Sequence, residues 1–415
     1  MVGMMVFFPL ETLTVGGAGP GDLFAATMLV TSLSALRRER SRFYVPLALA
    51  MWVIFVGSLI ASLAGLDFFS TSVSMIQETY LFLMFVTLVN TIKDRATLRS
   101  MVKIWAIVGA IEAVIIILDL FGIILPIIGG GNAKALALGL EGFEDSGRAV
   151  GTFRNANAAG GYMMLTLFAL LAVSITRKVW VRWGLAALYG LAILATGSVG
   201  AMGGASAAVI VALLYWLHRQ GGRAILFGVG LTVAVAVIVG VLTPIVLPFV
   251  SSAGKGTLLF ELGRVGHKLD KRLALWARVP GLMANYPLGI GPNVTATIAI
   301  IGAHSDYVAF FSERGQIGII GFFLLHGEIV FALGVTVKGS RNWQEHLATG
   351  ALLGGLLGLM IMGVVHETFH GRPVWLMFVV IFVHYKLVRS AMQARLAEAS
   401  RVQLPPAGMI GQLAK

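Results

Sequence analysis

The chain has no cysteine, so it carries neither a disulfide framework nor a thiolate metal site. Charge is scarce: only 12% of its 415 residues are charged, about half the share of an ordinary soluble domain. Acids are scarcer than bases, 19 against 31. There is no internal repeat, no low-complexity tract and no inverted-repeat signal of the kind that marks many transporters. The start lacks the basic n-region and small-residue cleavage site of a signal peptide and reads as a retained first helix. These absences exclude a large soluble domain and leave a chain that is 58% hydrophobic, with a mean hydropathy of +0.89.

What is present in abundance is apolar sequence in runs near the ~20 residues that cross a bilayer. The pattern predicts an all-α polytopic membrane protein of about twelve transmembrane helices. Nine lie in residues 1–249, including one at 156–176. An outer loop at 250–305 separates helices 9 and 10. Spans at 306–337, 347–365 and 374–391 fill residues 306–391, and a cytoplasmic tail occupies 392–415. The span at 306–337 is too long for a single crossing, so its first turns are expected at the interface.

Alternate loops differ in charge. One set gathers 20 of the 31 basic residues with four acids, Glu39, Asp94, Glu345 and Glu398. The positive-inside rule makes that side cytoplasmic and puts both termini there. The net charge of +12 thus reflects topology. It does not point to nucleic acid, because the bases are not collected on one soluble face with aromatics between them.

The outer segment 250–303 departs from this pattern with Lys255, Arg264, Lys268, Lys271, Arg272 and Arg278 against Glu261 and Asp270. Apolar Leu262, Val265, Leu269, Leu273 and Trp276 recur at spacings of three and four, opposite most of the bases. That is a basic amphipathic helix of the interfacial kind. Its cations either snorkel to headgroups or grip a diphosphate, for which the planar arginine fork is suited. Arg154, in VGTFRNANAAGG, stands on the same side, where Asn155 and Asn157 are expected to cap a helix. NYPLGIGPN, 285–293, must form a tight turn.

After that turn comes AHSDYVAFFSERG. His304 directly precedes a helix start, whose positive dipole end disfavours imidazolium. A neutral imidazole is what a general base requires. Asp306 and Glu313 are candidates to orient it or a substrate hydroxyl. A second ionisable cluster, His366, Glu367, His370 and Arg372, maps to the same face. Its HETFH string fits the H-E-x-x-H zinc pattern, yet Gly371 and Pro373 should end the helix beside His370, and no third ligand is evident. Glu112, Asp119 and Glu328 fall inside spans, where acids often mark ion paths. Asp119 and Glu328 have an alternative use, pairing with other polar groups between helices. Metalloprotease and transporter are therefore the readings from other classes.

GTFRNANAAGGYM, then RLALW at Arg272–Trp276, then NYPLGIGPN, then AHSDYVAFFSERGQIGIIGFF, together resemble the O-antigen ligase and polymerase superfamily. The resemblance runs over roughly residues 145–385. It implies a GT-C-like glycosyltransferase of the bacterial inner membrane, without a cofactor. Such an enzyme moves a glycan from undecaprenyl diphosphate to an acceptor on the periplasmic side. It implies His304 as the base, with Arg264 and Arg272 binding the diphosphate; Lys268, Arg278, His366 and Arg372 are further candidates for the diphosphate or glycan. Many members carry Ser-Arg-Gly after the seventh helix, where this chain has Ser198-Val199-Gly200; Arg154 or Arg148 is the candidate substitute. No Asp-x-Asp pair lies on the outer side, so arginine rather than a metal is expected to neutralise the leaving group. Among activities of the superfamily, transfer to lipid A–core is favoured over polymerisation, and transfer to protein usually comes with a larger outer domain.

Overall fold

The computed structural model describes residues 44–121, 123, 148–153, 155–220, 272–295 and 304–403, with Thr27 and Val30. These residues are helical and contain no strand. In chain order the helices are α1 (Ala48–Ala64), α2 (Phe68–Thr91), α3 (Arg95–Leu120), α4 (Ala156–Ala172), α5 (Val179–Ala195), α6 (Val199–Gln220), α7 (Val279–Asn285), α8 (Asp306–Gly339), α9 (Trp343–Val365) and α10 (Arg372–Gln403). Five, namely α2, α3, α8, α9 and α10, are long and apolar enough to cross a membrane. Spans expected at 1–15, 21–36 and 224–249 lie outside the described residues, apart from helical Thr27 and Val30.

Local chemistry sets the helix starts. Asp67, Asp94, Asn155, Ser305 and Asn342 each accept a hydrogen bond from a backbone N–H of the first turn they precede. These are the residue types that satisfy the orphan donors of a helix start. Asn155 therefore caps as expected, whereas Asn157 is freed for another use.

The core is centred on α10. From Val374 to Val383 every residue is at most 5% exposed, and a helix apolar all round belongs in the interior. Around it pack α2, α4 and α8. Small residues bring α6 and α9 together: a Cβ on Gly358 would stand 2.8 Å from the Gly204 carbonyl oxygen. Such close approach is how helices associate where hydrophobicity offers no drive.

The intramembrane acids are bolts between segments. Glu112 accepts from the Thr152 N–H (2.8 Å) and hydroxyl (2.9 Å). Asp119 accepts from the N–H groups of Val150 (2.7 Å) and Gly151 (3.0 Å). Glu328 accepts from the Leu47 N–H at 3.0 Å. Each thereby satisfies backbone donors that lipid would leave unpaired, an alternative to the ion path that acids in spans otherwise invite.

Candidate active site

The long helix α8 is not continuous. At Gly315 the backbone turns to φ 62°, ψ −163°, a conformation open to glycine and strained for other residues. A break leaves carbonyls without intrahelical donors. Here Ser312 O accepts from the Ile290 N–H (3.1 Å) and Glu313 O from the Gly291 N–H (2.9 Å). The turn NYPLGIGPN is thus plugged into the break. Its fit is tight: a Cβ on Gly315 would lie 2.5 Å from the Leu288 carbonyl carbon. Glu313 secures the turn further, accepting from the Asn293 N–H at 2.9 Å and from the Thr295 hydroxyl.

Behind the plug lies a buried ionic cluster. Arg314, 1% exposed, pairs with Glu78 and, at 3.4 Å, with Glu313. Its guanidinium stacks 4.3 Å over the Phe310 ring. Glu78 Oε1 also meets His370 Nε2 at 2.9 Å. A cluster of this kind ties α2, α8 and the α9–α10 loop into one arrangement.

That loop, residues 366–371, is held as tightly on its other side. The Asp306 carboxylate accepts from the N–H groups of Thr368 (2.8 Å) and Phe369 (3.1 Å) and from the Thr368 hydroxyl (2.5 Å). Trp375 Nε1 donates to the Phe369 carbonyl at 2.8 Å. Two residues before Asp306, His304 takes φ 49°, a left-handed conformation uncommon for a non-glycine residue. Its N–H donates to Glu367 Oε1 at 2.9 Å.

His304 and Glu367 open onto a cavity of about 480 Å³. Asn155, Asn157, His366 and Thr368 contribute polar wall; Phe153, Tyr162, Leu165, Leu359 and Met362 contribute apolar wall. A few convergent polar groups in a mostly apolar concavity is the usual make-up of a small-molecule site. Burial lowers the pKa of His304, and the Arg272 guanidinium lowers it further. The start of α8 acts in the same direction. Glu367 faces the cavity but is ringed by protein; that partial desolvation and the Glu313 charge push its carboxyl up.

Arg148 stands behind the cavity wall. Its Nε donates to the Thr196 carbonyl and its Nη2 to Asn157 Oδ1, both at 2.9 Å. The Ser198 hydroxyl donates to the same Asn157 oxygen at 3.2 Å. The guanidinium therefore lies beside the Ser198-Val199-Gly200 segment.

The structure brings His304, Arg272, His366 and Asp306 into one neighbourhood, with Arg148 close behind Asn157. Asp306 and Glu313 are buried and occupied by protein donors. Arg278 is exposed at the head of α7, and Arg372 begins α10 beside Gly371 and Pro373 of the cavity wall. Arg264, Lys268 and Arg154 lie outside the described residues. The HETFH string differs from expectation: α9 ends at Val365, with extended backbone at His366. His366 and His370 consequently share no helical face; His370 is instead drawn to Glu78 and His366 lies over Gly200. Among the described residues no group of three or more His, Cys, Asp or Glu is arranged to hold a metal.

Sequence reasoning passed over Glu78, although an acid inside an apolar run is itself a signal. It also gave Glu367 no role beyond membership of an ionisable cluster and of a zinc motif. No curated protein matches the chain. Residues 184–323 match the family model described as O-antigen ligase. The matched stretch contains Arg272, the plugged turn, His304 and the break in α8, and it supports placing the chain in the O-antigen ligase and polymerase superfamily.

Proposed function

We propose that the protein is an O-antigen ligase with its active site on the periplasmic face of the bacterial inner membrane. It would transfer a glycan from undecaprenyl diphosphate to lipid A–core. The observation that carries this reading is the placement of His304 in the cavity wall, where burial and the Arg272 guanidinium both lower its pKa. In the proposed reaction His304 takes the proton of an acceptor hydroxyl. The freed oxygen pair attacks the anomeric carbon, and the bond to the diphosphate oxygen breaks with its electrons. Direct displacement inverts the anomeric centre. Charge grows on the departing undecaprenyl diphosphate, and fixed cations aimed at developing charge are a major source of rate.

Arg272 and Arg148 are the proposed diphosphate contacts among the described residues. Arg148 lies beside Ser198, next to Val199, the position at which many members of the superfamily have arginine, and so offers a guanidinium from another segment. Arg264, Lys268 and Arg154 complete the proposed cationic surface, with Arg278 and Arg372 at its edges. His366, Asn155 and Asn157 are proposed to meet glycan hydroxyls. The twelve-span GT-C-like topology, the loop at 250–305 and cytoplasmic termini belong to the same proposal. The charge bias supports it: Arg95 and Lys386 sit at the end of the bundle away from the cavity.

The test is transfer in vitro by purified protein, with undecaprenyl-diphosphate-linked glycan, with and without lipid A–core, and without added divalent metal. Transfer to lipid A–core that His304→Ala lowers by ~10²–10⁴-fold is the expected result. Chain growth without that acceptor would make the protein a polymerase. Absence of transfer with either acceptor would overturn the glycosyltransferase reading.

A further inference from the structure

We infer that Glu367 is a positioning residue for His304 and acts through the His304 backbone rather than through charge. The inference rests on His304 being the base.

His304 occupies a left-handed backbone conformation, φ 49°. For a residue with a side chain this costs of order 1–3 kcal/mol and persists only where the surroundings over-determine it. The residues on its C-terminal side supply one constraint. Ser305 caps α8, and Asp306 is fastened to Thr368 and Phe369 by three hydrogen bonds. That fixes Asp306 and leaves rotation at Ser305 and at His304 itself. Glu367 supplies the second constraint by accepting the His304 N–H at 2.9 Å. The two clamps come from adjacent positions of one loop, residues 367–369, and grip the chain two residues apart. With both in place the direction of the His304 Cα–Cβ bond is set.

The loop is rigid enough to serve as the reference. Thr368 and Phe369 are buried, His370 is drawn to Glu78 at 2.9 Å, and Trp375 bonds the Phe369 carbonyl. Glu367 itself is exposed toward the cavity, so its replacement removes the clamp without opening the core. A misplacement of about 1 Å at a reacting group costs roughly 10²-fold, which is the scale on which a lost backbone clamp should be felt.

The experiment compares Glu367→Ala and Glu367→Gln with wild type in the transfer assay and by hydrogen exchange of the substrate-free protein. Glutamine keeps a carbonyl oxygen for the His304 N–H and removes the charge. Glu367→Ala should lower kcat by ~10–10²-fold with KM within about 2-fold, and should speed exchange in the peptide containing His304. Glu367→Gln should restore kcat to within about 3-fold of wild type and restore slow exchange. Glutamine as inactive as alanine would overturn the inference, because the charge would then matter. Alanine as active as wild type would overturn it too, as would unchanged exchange in Glu367→Ala. The exchange arm needs no substrate: a wild type that transfers nothing would sink the proposed function, while the clamp on His304 would still be measured.

Discussion

The two ends of the bundle both carry paired charge, and they use it differently. At the end away from the cavity, Arg95 meets Glu345 at 2.7 Å with the arginine 57% exposed. Lys386 Nζ donates to the carbonyls of Val89 (2.6 Å) and Ile92 (2.9 Å), closing the last turn of α2. Asn90 donates to the Tyr44 carbonyl there as well. These contacts finish helix ends. At the cavity end, Glu78, Glu313 and Arg314 are all but fully buried and hold a turn and a loop on which other residues depend. His304 and Glu367 then stand at the cavity edge, one strained and one accessible. Buried charge alone therefore does not mark a site; it does so where it supports a strained residue beside open volume.

The largest expected break in this comparison is Arg314→Met. It leaves Glu78 and Glu313 buried without their cation, a loss of ~3–5 kcal/mol for a broken buried pair. Thermal melting in detergent should register it, together with loss of transfer. Next is Gly315→Ala. A side chain there must accept φ 62° and displace Leu288, at a cost of about 1–3 kcal/mol for the backbone alone. Gly327→Ala, in the same helix with nothing within 4 Å of the added methyl, should change the melting free energy by less than about 1 kcal/mol. Equal effects at the two glycines would remove the case for a plugged break.

Arg272→Gln sharpens the cavity end electrostatically. The Arg272 cation disfavours imidazolium, so it holds the His304 pKa down. Its removal should raise that pKa, leaving less neutral base at a given pH. The acid limb of the kcat/KM profile, below the ordinary histidine value of 6.5 in wild type, should move to higher pH. A limb that stays put would separate Arg272 from His304. Arg95→Ala is the smallest perturbation: an exposed partner in an ion pair is worth at most about 1 kcal/mol, with transfer unchanged.

Several features could be read directly from residue order. Apolar runs located α2, α3, α8, α9 and α10, because lipid leaves a spanning segment little choice but a helix. NYPLGIGPN was recognisable as a turn, since Gly289 and Gly291 adopt φ 96° and 103°. His304 was recognisable because a helix start followed it. The plug was not: nothing in SERGQ says that Gly315 breaks a helix, because isolated glycines such as Gly327 are tolerated inside the same helix. The bond between Glu367 and His304 spans 63 residues and leaves no periodic trace. Arg148 gained weight only when the fold brought it to Asn157, 9 residues away, whose side-chain oxygen also accepts from Ser198, 41 residues further along the chain.

The sequence by itself determined that this chain is a helical, many-spanned membrane protein with a basic loop and a histidine at a helix start. Those properties follow from composition and local order, which the bilayer reads one segment at a time. Only the tertiary structure decided which carboxylates are bolts and which one faces the cavity. Partner choice for a buried polar group is a long-range matter, settled when packed helices leave each donor a single acceptor within reach.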